Sequence, residues 1–479
     1  MNTKILLRSV LALAVVTGLG AALVAFACDD NPTTQPVSKR YEEQAKKIID
    51  AALAGNDAWK KMEELCDGIG HRLSGSEALD KAVAWAVATM KADGQENVRA
   101  EPVMVPKWVR GEESLTMVEP YRYPLVMSGL GLSVGTPTDG LTADVLVVAD
   151  EKELEAAGDK ARGRIVLFNN PMQTYDPNKG SGYGTAVRFR HKGAVLASAQ
   201  GATACLVRSV TARSLRSPHT GAMSYADAKE KIPAAAISTE DAEMICRLAA
   251  RGQAVKVTLK MGAQDHGMVP SANVVGELRG REHPEEIVVI GGHIDSWDAG
   301  QGAHDDGAGC VIAMEAINVL RKLNMIPQRT IRVVLWTNEE NGLAGGKQYA
   351  KDHEAELAKH VAAIESDSGA FRPEGYSVEC LDGRRQTVAA GQLVELMKLL
   401  SPLGRMDVSV GHSGADISPM KPGGVVLMGF DVEGSKYFDY HHTHADTLDK
   451  VNPQDLSQCV ASMAVTAYVI AEMPERLGE

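Results

Sequence analysis

The chain is short of several things, and each shortage closes a class of function. It has no excess of positive charge: 50 Lys and Arg stand against 62 Asp and Glu, a formal net charge of −12. That balance argues against a general binder of nucleic acid or of anionic membranes. There is no Cys-x-x-Cys. After Cys28 the cysteines are Cys66, Cys205, Cys246, Cys310, Cys380 and Cys459, none spaced as a thiolate zinc site. So few in so long a chain do not make a disulfide scaffold. Cys310 and Cys459 sit in apolar helical patterns and read as buried thiols. Internal repeats are absent. Beyond the first thirty residues no run is long and apolar enough to span a membrane.

What is present is an ordinary globular balance, 44% hydrophobic and 23% charged. A chain of 479 residues is too long for one core and implies two to three domains. Residues 1–27 read as an export signal: Lys4 and Arg8 precede an apolar run that ends in the small-x-small site Ala25-Phe26-Ala27. Cys28 follows at once. Two outcomes stay open, soluble export to the periplasm or medium, and a lipid anchor at Cys28. Residues 28–40 read as a flexible tether.

Residues 41–66 are amphipathic and helical, residues 77–91 form a helix opening beside Ser76, and residues 98–106 form a strand. From 122 to 262 the texture changes to short β runs between Gly, Pro and Asp turns, with helices over 185–200 and 239–251. This segment carries no cluster of metal-ligand type and reads as an inserted, protease-associated-like cap domain. The flanking parts, 41–121 and 263–479, make one catalytic domain. In the second part strands and helices alternate, which implies an α/β fold with a mostly parallel mixed sheet flanked by helices. Its strands are expected at 286–290, 330–337, 361–364 and 424–430, and its helices at 307–321, 343–359, 392–403 and 455–471.

Four segments of this half share one arrangement, with metal-binding side chains at or after a strand end. They are His293, Asp295 and Asp305; Asn338-Glu339-Glu340; Glu365-Ser366-Asp367; and His441 to Thr447. In an open α/β sheet, chemistry sits beyond the carboxyl ends of the strands. One His-x-Asp is ordinarily a surface loop or a tethered core histidine. A Glu-Glu pair is ordinarily solvated charge. Four such segments in order are not a chance pattern. Two histidines and three carboxylates, one of them shared, give two zinc ions three protein ligands each, with an open position on each ion.

With these residues in hand, the chain resembles the co-catalytic zinc aminopeptidase and carboxypeptidase family, which includes glutamate carboxypeptidase II. The stretches that carry the likeness are GHRLSGSEALDKA, RGEESLTMVEPYR, SPHTG, KIPAAAISTEDAEM, GGHIDSWDAGQGAHDDGAG, RTIRVVLWTNEENG, ESDSGAF and YFDYHHTHADTLDKVNP. They span residue 60 to the C-terminus; residues 374–420 do not align. The resemblance implies the zinc exopeptidase fold and two zinc ions. His293 and Asp367 would hold one, Glu340 and His442 the other, and Asp305 would bridge. Glu339 would be the general base. Asp295 would orient His293 through its second ring nitrogen, and the Asp305–Asp306 peptide would be cis. His441 and His444 would flank the ligand.

His219 in SPHTG, and His412 and Asp416 in GHSGAD, are candidate contacts for a peptide terminus. Short peptides with free ends are the implied substrates, a homodimer the implied assembly. Two other readings are a single-zinc glutaminyl cyclase and a non-catalytic, receptor-like binding protein. Complete ligand sets for two ions weigh against both.

Overall fold

The computed structural model describes residues 35–177, 179–226 and 228–479. The signal segment, Cys28 and the first part of the tether lie outside these residues. The tether is shorter than its composition suggests, because Val37–Arg40 already forms a helical turn. Residues 41–66 are two helices, Glu42–Ala54 and Asp57–Cys66, separated at Gly55, whose backbone is extended.

The strands form two eight-stranded sheets. The first runs in the order Glu96–Val109, Gln264–Leu278, Arg329–Trp336, His283–His293, His360–Glu365, Val426–Val432, Pro373–Glu379, Asp407–Val410. Arg329–Trp336, His283–His293, His360–Glu365 and Val426–Val432 are mutually parallel. Strands of this kind are buried on both faces, so they read as continuous apolar runs; all of Arg329–Trp336 is buried. One face is covered by Glu42–Ala54, Asp57–Cys66, Ala308–Lys322 and Pro453–Glu472. The last opens on Pro453, with Asn452 capping Gln454 N and Asp455 N. The other face packs against Ala344–Asp352 and the loops around Ile417 and Met420.

Several elements departed from the sequence reading: the helix expected at 343–359 is Ala344–Asp352 with a 3₁₀ segment Glu354–Lys359 after it, and strand Asp407–Val410 was not expected. The helix expected at 392–403 is Gly383–Met397, capped by Asp382, with a 3₁₀ turn Lys398–Leu403 after it. Its polar opening, GRRQT, hides the start. Strand Pro373–Glu379 was not foreseen, because Pro373 and Gly375 at its head are poor strand formers.

Glu96–Val109 and Gln264–Leu278 pair antiparallel from Glu96↔Glu277 to Val109↔Gln264, a two-stranded stalk. The second sheet is inserted between them. It contains Tyr123–Leu125, Glu113–Glu119, Lys256–Met261, Leu141–Val148, Ile165–Phe168, Ala204–Arg208, Ala234–Ile237 and Met127–Gly129, in that order across the sheet. It takes in Glu113–Glu119, ahead of residue 122. All six cysteines in the described residues are free thiols, and all but Cys246 are buried. No helix among the described residues is long and apolar enough to cross a membrane.

Gly291 sits where the central parallel strands approach closely. A Cβ there would lie 1.9 Å from the Val334 carbonyl oxygen and 2.6 Å from the Trp336 ring. Gly391, on an exposed helix face, has nothing within 4 Å of such a Cβ. Gly291→Ala should destabilise the protein by about 1–3 kcal/mol or more. Gly391→Ala should stabilise it by roughly 0.5–1 kcal/mol. Thermal unfolding of the two variants checks this pair; a neutral Gly291→Ala contradicts the packing described.

Candidate metal centre

His293 ends its strand, Glu339 and Glu340 follow Arg329–Trp336, and Asp367 follows His360–Glu365. Three parallel strands thus deliver their side chains to one rim. His442 arrives from the loop after Val426–Val432, and Asp305 from the turn before Ala308–Lys322. His442 has φ +61° and Asn338 φ +66°, left-handed conformations that a non-glycine residue holds only where its surroundings enforce them.

Asp305 is the centre of the arrangement. Its Oδ1 lies 3.2 Å from His293 Nε2, and its Oδ2 lies 3.2 Å from His442 Nε2. On the first side, Asp367 Oδ1 is 3.5 Å from His293 Nε2. On the second, Glu340 Oε2 is 3.0 Å from His442 Nε2. Zinc holds N and O ligands at about 2.0–2.2 Å, which sets two ligands of one tetrahedral ion roughly 3.3–3.6 Å apart. The observed separations are close to that. His293 Nε2, Asp305 Oδ2 and Asp367 Oδ1 are buried and make no hydrogen bond. A buried polar atom without a partner is costly, and a metal ion supplies that partner. The residues fit a pair of metal ions sharing Asp305. His441 is a less suitable ligand: its Nε2 is 3.8 Å from Asp305 Oδ2, and its ring stacks on His442 at 3.6 Å.

The electrostatics agree. Burial, together with the charge of Asp305, pushes Glu340 up to about 7. Burial and the neighbouring carboxylates Asp367, Glu340 and Asp305 hold Glu339 well above the usual range. Asp305 goes the other way: burial would raise it, but the imidazoles of His293 and His442 on either side hold it well down. Burial would lower His442, yet Glu340 and Asp305 draw it up to about 10. The negative charge crowded here is of the kind that bound dications compensate.

The surroundings fix these groups. The Asp295 main-chain carbonyl accepts from His293 Nδ1 at 3.0 Å. The Asp295 carboxylate is 3.7 Å from that ring and instead accepts from Glu339 N and from Ser74 Oγ. The orienting group for His293 is therefore the carbonyl of Asp295, while its carboxylate positions Glu339. Asp306 Oδ2 accepts from His293 N, its Oδ1 accepts from Gly309 N, and the Asp305–Asp306 peptide is cis. Asp446 accepts from His304 N at 2.7 Å and from Asp305 N at 3.1 Å. Arg72, fully buried, donates to the carbonyls of Ile294, Gln301 and Gly302 and holds the loop between His293 and Asp305.

A cleft of about 900 Å³ opens onto Asp305, Glu339, Glu340, Asp367, His441 and His442. A cavity of about 970 Å³ beside Glu112–Ser114 and Lys260–Gln264 is slightly larger but carries none of the ligand residues. Of the five residues expected near the ligand, His412 and His441 line the cleft and His219, Asp416 and His444 do not. His219 is buried and bonds Ser209 Oγ and the Phe438 carbonyl. Asp416 is buried against Glu365, off the cleft wall. His444 is exposed and outside the lining. The sequence reading missed Arg190, which does line the cleft. It comes from the insert helix Arg188–Ala199, and a lone arginine there carries no motif.

The class is that of a zinc-binding metallopeptidase, an enzyme that hydrolyses peptide bonds. A family model, Peptidase family M28, matches residues 273–467. The chain is 42% identical to mouse carboxypeptidase Q over 440 residues, 91% of each chain. It is 41% identical to the human carboxypeptidase Q over 436 residues, 90% of each. A crystal structure of a peptidase M28 precursor from Shewanella amazonensis superposes with a TM-score of 0.86 at 38% identity, covering 92% of this chain and 98% of the other. A zinc aminopeptidase from Bacillus subtilis shares the fold, with a TM-score of 0.61 at 21% identity over 88% of this chain and 96% of its own. The chain belongs to peptidase family M28.

Because Asp305 sets one oxygen 3.2 Å from each histidine, Asp305→Ala should cost more bound metal than Asp367→Ala, whose carboxylate stands beside His293. Metal analysis of dialysed protein by mass spectrometry checks this. Full occupancy in Asp305→Ala contradicts the shared position.

Proposed function

We propose that the chain is an exported di-zinc exopeptidase that cleaves dipeptides or short peptides with free termini. The observation that carries this reading is Asp305, with one oxygen 3.2 Å from each of two histidines. The likeness to carboxypeptidase Q supports it. His293, Asp305 and Asp367 would hold one ion, and His442, Asp305 and Glu340 the other. When bound, the zinc pair supplies a water of lowered pKa and an electrophile for the scissile carbonyl. Glu339, on the cleft wall, would accept a proton from the attacking water and deliver it to the leaving amine. A single-zinc cyclase would leave the His442–Glu340 pair unused. A non-catalytic receptor would have no need of Glu339.

The cleft also supports the substrate size. The insert contributes Tyr175, Lys179, Tyr183 and Arg190 to its wall, and so acts as a cap. Arg190 is buried, with Nη2 donating to Tyr183 Oη at 2.7 Å. Its Nη1 is 3.3 Å from His442 Nδ1. Once Nε2 serves a metal, Nδ1 carries the hydrogen and gives it to the Thr220 carbonyl at 3.1 Å. Arg190 Nη1 then has a donor to spare. Glu374 and Asp431 line the same cleft from strands Pro373–Glu379 and Val426–Val432. Charge of both signs suits a zwitterionic dipeptide, with Arg190 reading its carboxylate.

The same proposal includes a homodimer and an N-terminus processed at Ala27–Cys28, with or without lipid. Light scattering and the mass of the mature N-terminal peptide measure these directly.

Glu339→Gln should lose at least ~10²-fold in kcat while keeping its metal. Arg190→Met should raise KM for dipeptides with a free carboxylate and leave C-terminal amides nearly unchanged. Assays of both variants on a dipeptide library test the reading. Wild-type turnover in Glu339→Gln, or efficient internal cleavage of denatured casein, contradicts it.

A further inference from the structure

We propose that the insert is a working part of the second metal site, so that affinity for the ion held by His442 and Glu340 is set by how the insert docks. The inference rests on the di-metal reading above. Its basis is an asymmetry in the hydrogen bonds around the two ligand pairs.

Around His293 and Asp367 every bond described comes from the catalytic half: the Asp295 carbonyl on His293 Nδ1 and the Asp306 carboxylate on His293 N. Around His442 the insert supplies them, and it reaches Glu340 at one remove, through the loop that carries Trp297. Thr220 brackets His442, with Thr220 N donating to the His442 carbonyl at 3.0 Å and the Thr220 carbonyl accepting from His442 Nδ1 at 3.1 Å. The second bond selects the tautomer that leaves Nε2 free for metal. One residue earlier, His219 Nε2 bonds the Phe438 carbonyl at 3.0 Å, fixing the approach to His442.

Glu340 is held through Trp297, whose N donates to Glu340 Oε1 at 3.1 Å. The Trp297 ring lies against Gly131 of the insert so closely that a Cβ there would sit 1.8 Å from it. The next residue, Asp298, is clasped by Arg110 at the end of the stalk, Nε to Oδ2 at 2.9 Å and Nη2 to Oδ1 at 2.5 Å. The same guanidinium donates to the Gly129 carbonyl, to Ser128 Oγ at 3.2 Å and to Thr220 Oγ1 at 3.2 Å. Arg110 therefore ties the loop behind Glu340 to the segment that brackets His442.

Outer-shell partners of this kind change metal affinity by about 10–100-fold when removed. Here they stand on a separate sheet, so docking and metal binding are coupled, and the coupling runs both ways. The ion at His442 and Glu340 holds the insert down by the factor with which the insert tightens the ion. No insert residue bonds His293 or Asp367 directly, so the ion there is linked to the insert less tightly. Arg110, Asp298 and Thr220 are positioning residues in this account, since none touches substrate or metal.

The test uses the full mature chain loaded with zinc. Zinc is competed away with a chelator of known affinity from wild type and from Arg110→Met, which keeps the stem and removes the guanidinium. One of the two ions should bind at least ~10-fold more weakly in Arg110→Met, the other as in wild type, with Arg110→Lys partly restored. Hydrogen exchange gives the second readout and does not depend on that variant folding. Exchange at residues 129–132 and 217–223 should rise in Glu340→Gln and stay at the wild-type level in Asp367→Ala. Unchanged affinity for both ions in a folded Arg110→Met, or equal exchange in the two ligand variants, overturns the proposal. A wild-type chain that binds fewer than two zinc ions would overturn the di-metal reading instead, so the two failures are distinguishable.

Discussion

Asp305, Glu339, Glu340 and Asp367 converge on one rim, with His293 and His442 between them. Like charges gathered away from water raise one another's pKa, and burial raises them further. Glu340 and Glu339 show that strain, while Asp305, wedged between both imidazoles, escapes it. Bound cations would offset this repulsion. The rest of the structure serves to keep these groups close despite their repulsion.

That service is visible in the bonds one step back from the ligands. Asp446 accepts from two successive backbone amides, His304 and Asp305, so the shared carboxylate is fixed from behind. Burial and the charge of Asp305 push Asp446 itself up to about 7. His304 lies between the rings of Phe371 and Tyr440, stacked at 4.3 Å and 5.7 Å. It thereby joins the turn carrying Asp305 to the loops carrying Asp367 and His442. Arg72 meets three carbonyls of the His293–Asp305 loop, its charge dispersed into backbone dipoles. Ligand geometry therefore depends on a shell of residues that carry no metal chemistry of their own.

How much of this was legible in the sequence follows from how local each signal is. The parallel strands announce themselves as apolar runs such as Ile287–Ile290 and Val333–Trp336, because burial on both faces leaves no alternation. The four ligand segments were visible because each pairs a strand end with a carboxylate or histidine. Gly383–Met397 was misplaced because its first turn is polar and its cap, Asp382, looks like any turn residue. Arg190, Thr220 and Arg110 were invisible as site residues. Each acts across a long sequence separation: Arg190 and Thr220 meet His442, and Arg110 meets Asp298. His219 was read as a candidate substrate contact, when its two nitrogens are already engaged in fastening the insert to the Phe438 loop.

The central claim is that two ions share Asp305 in a site made only of nitrogen and oxygen donors. X-ray absorption at the zinc edge on the zinc-loaded protein tests it most directly. The account predicts two zinc ions per chain, a shell of N and O donors at about 2.0–2.2 Å, and a zinc–zinc distance of roughly 3.5–4 Å. A single isolated zinc, or sulfur in its shell, would contradict it.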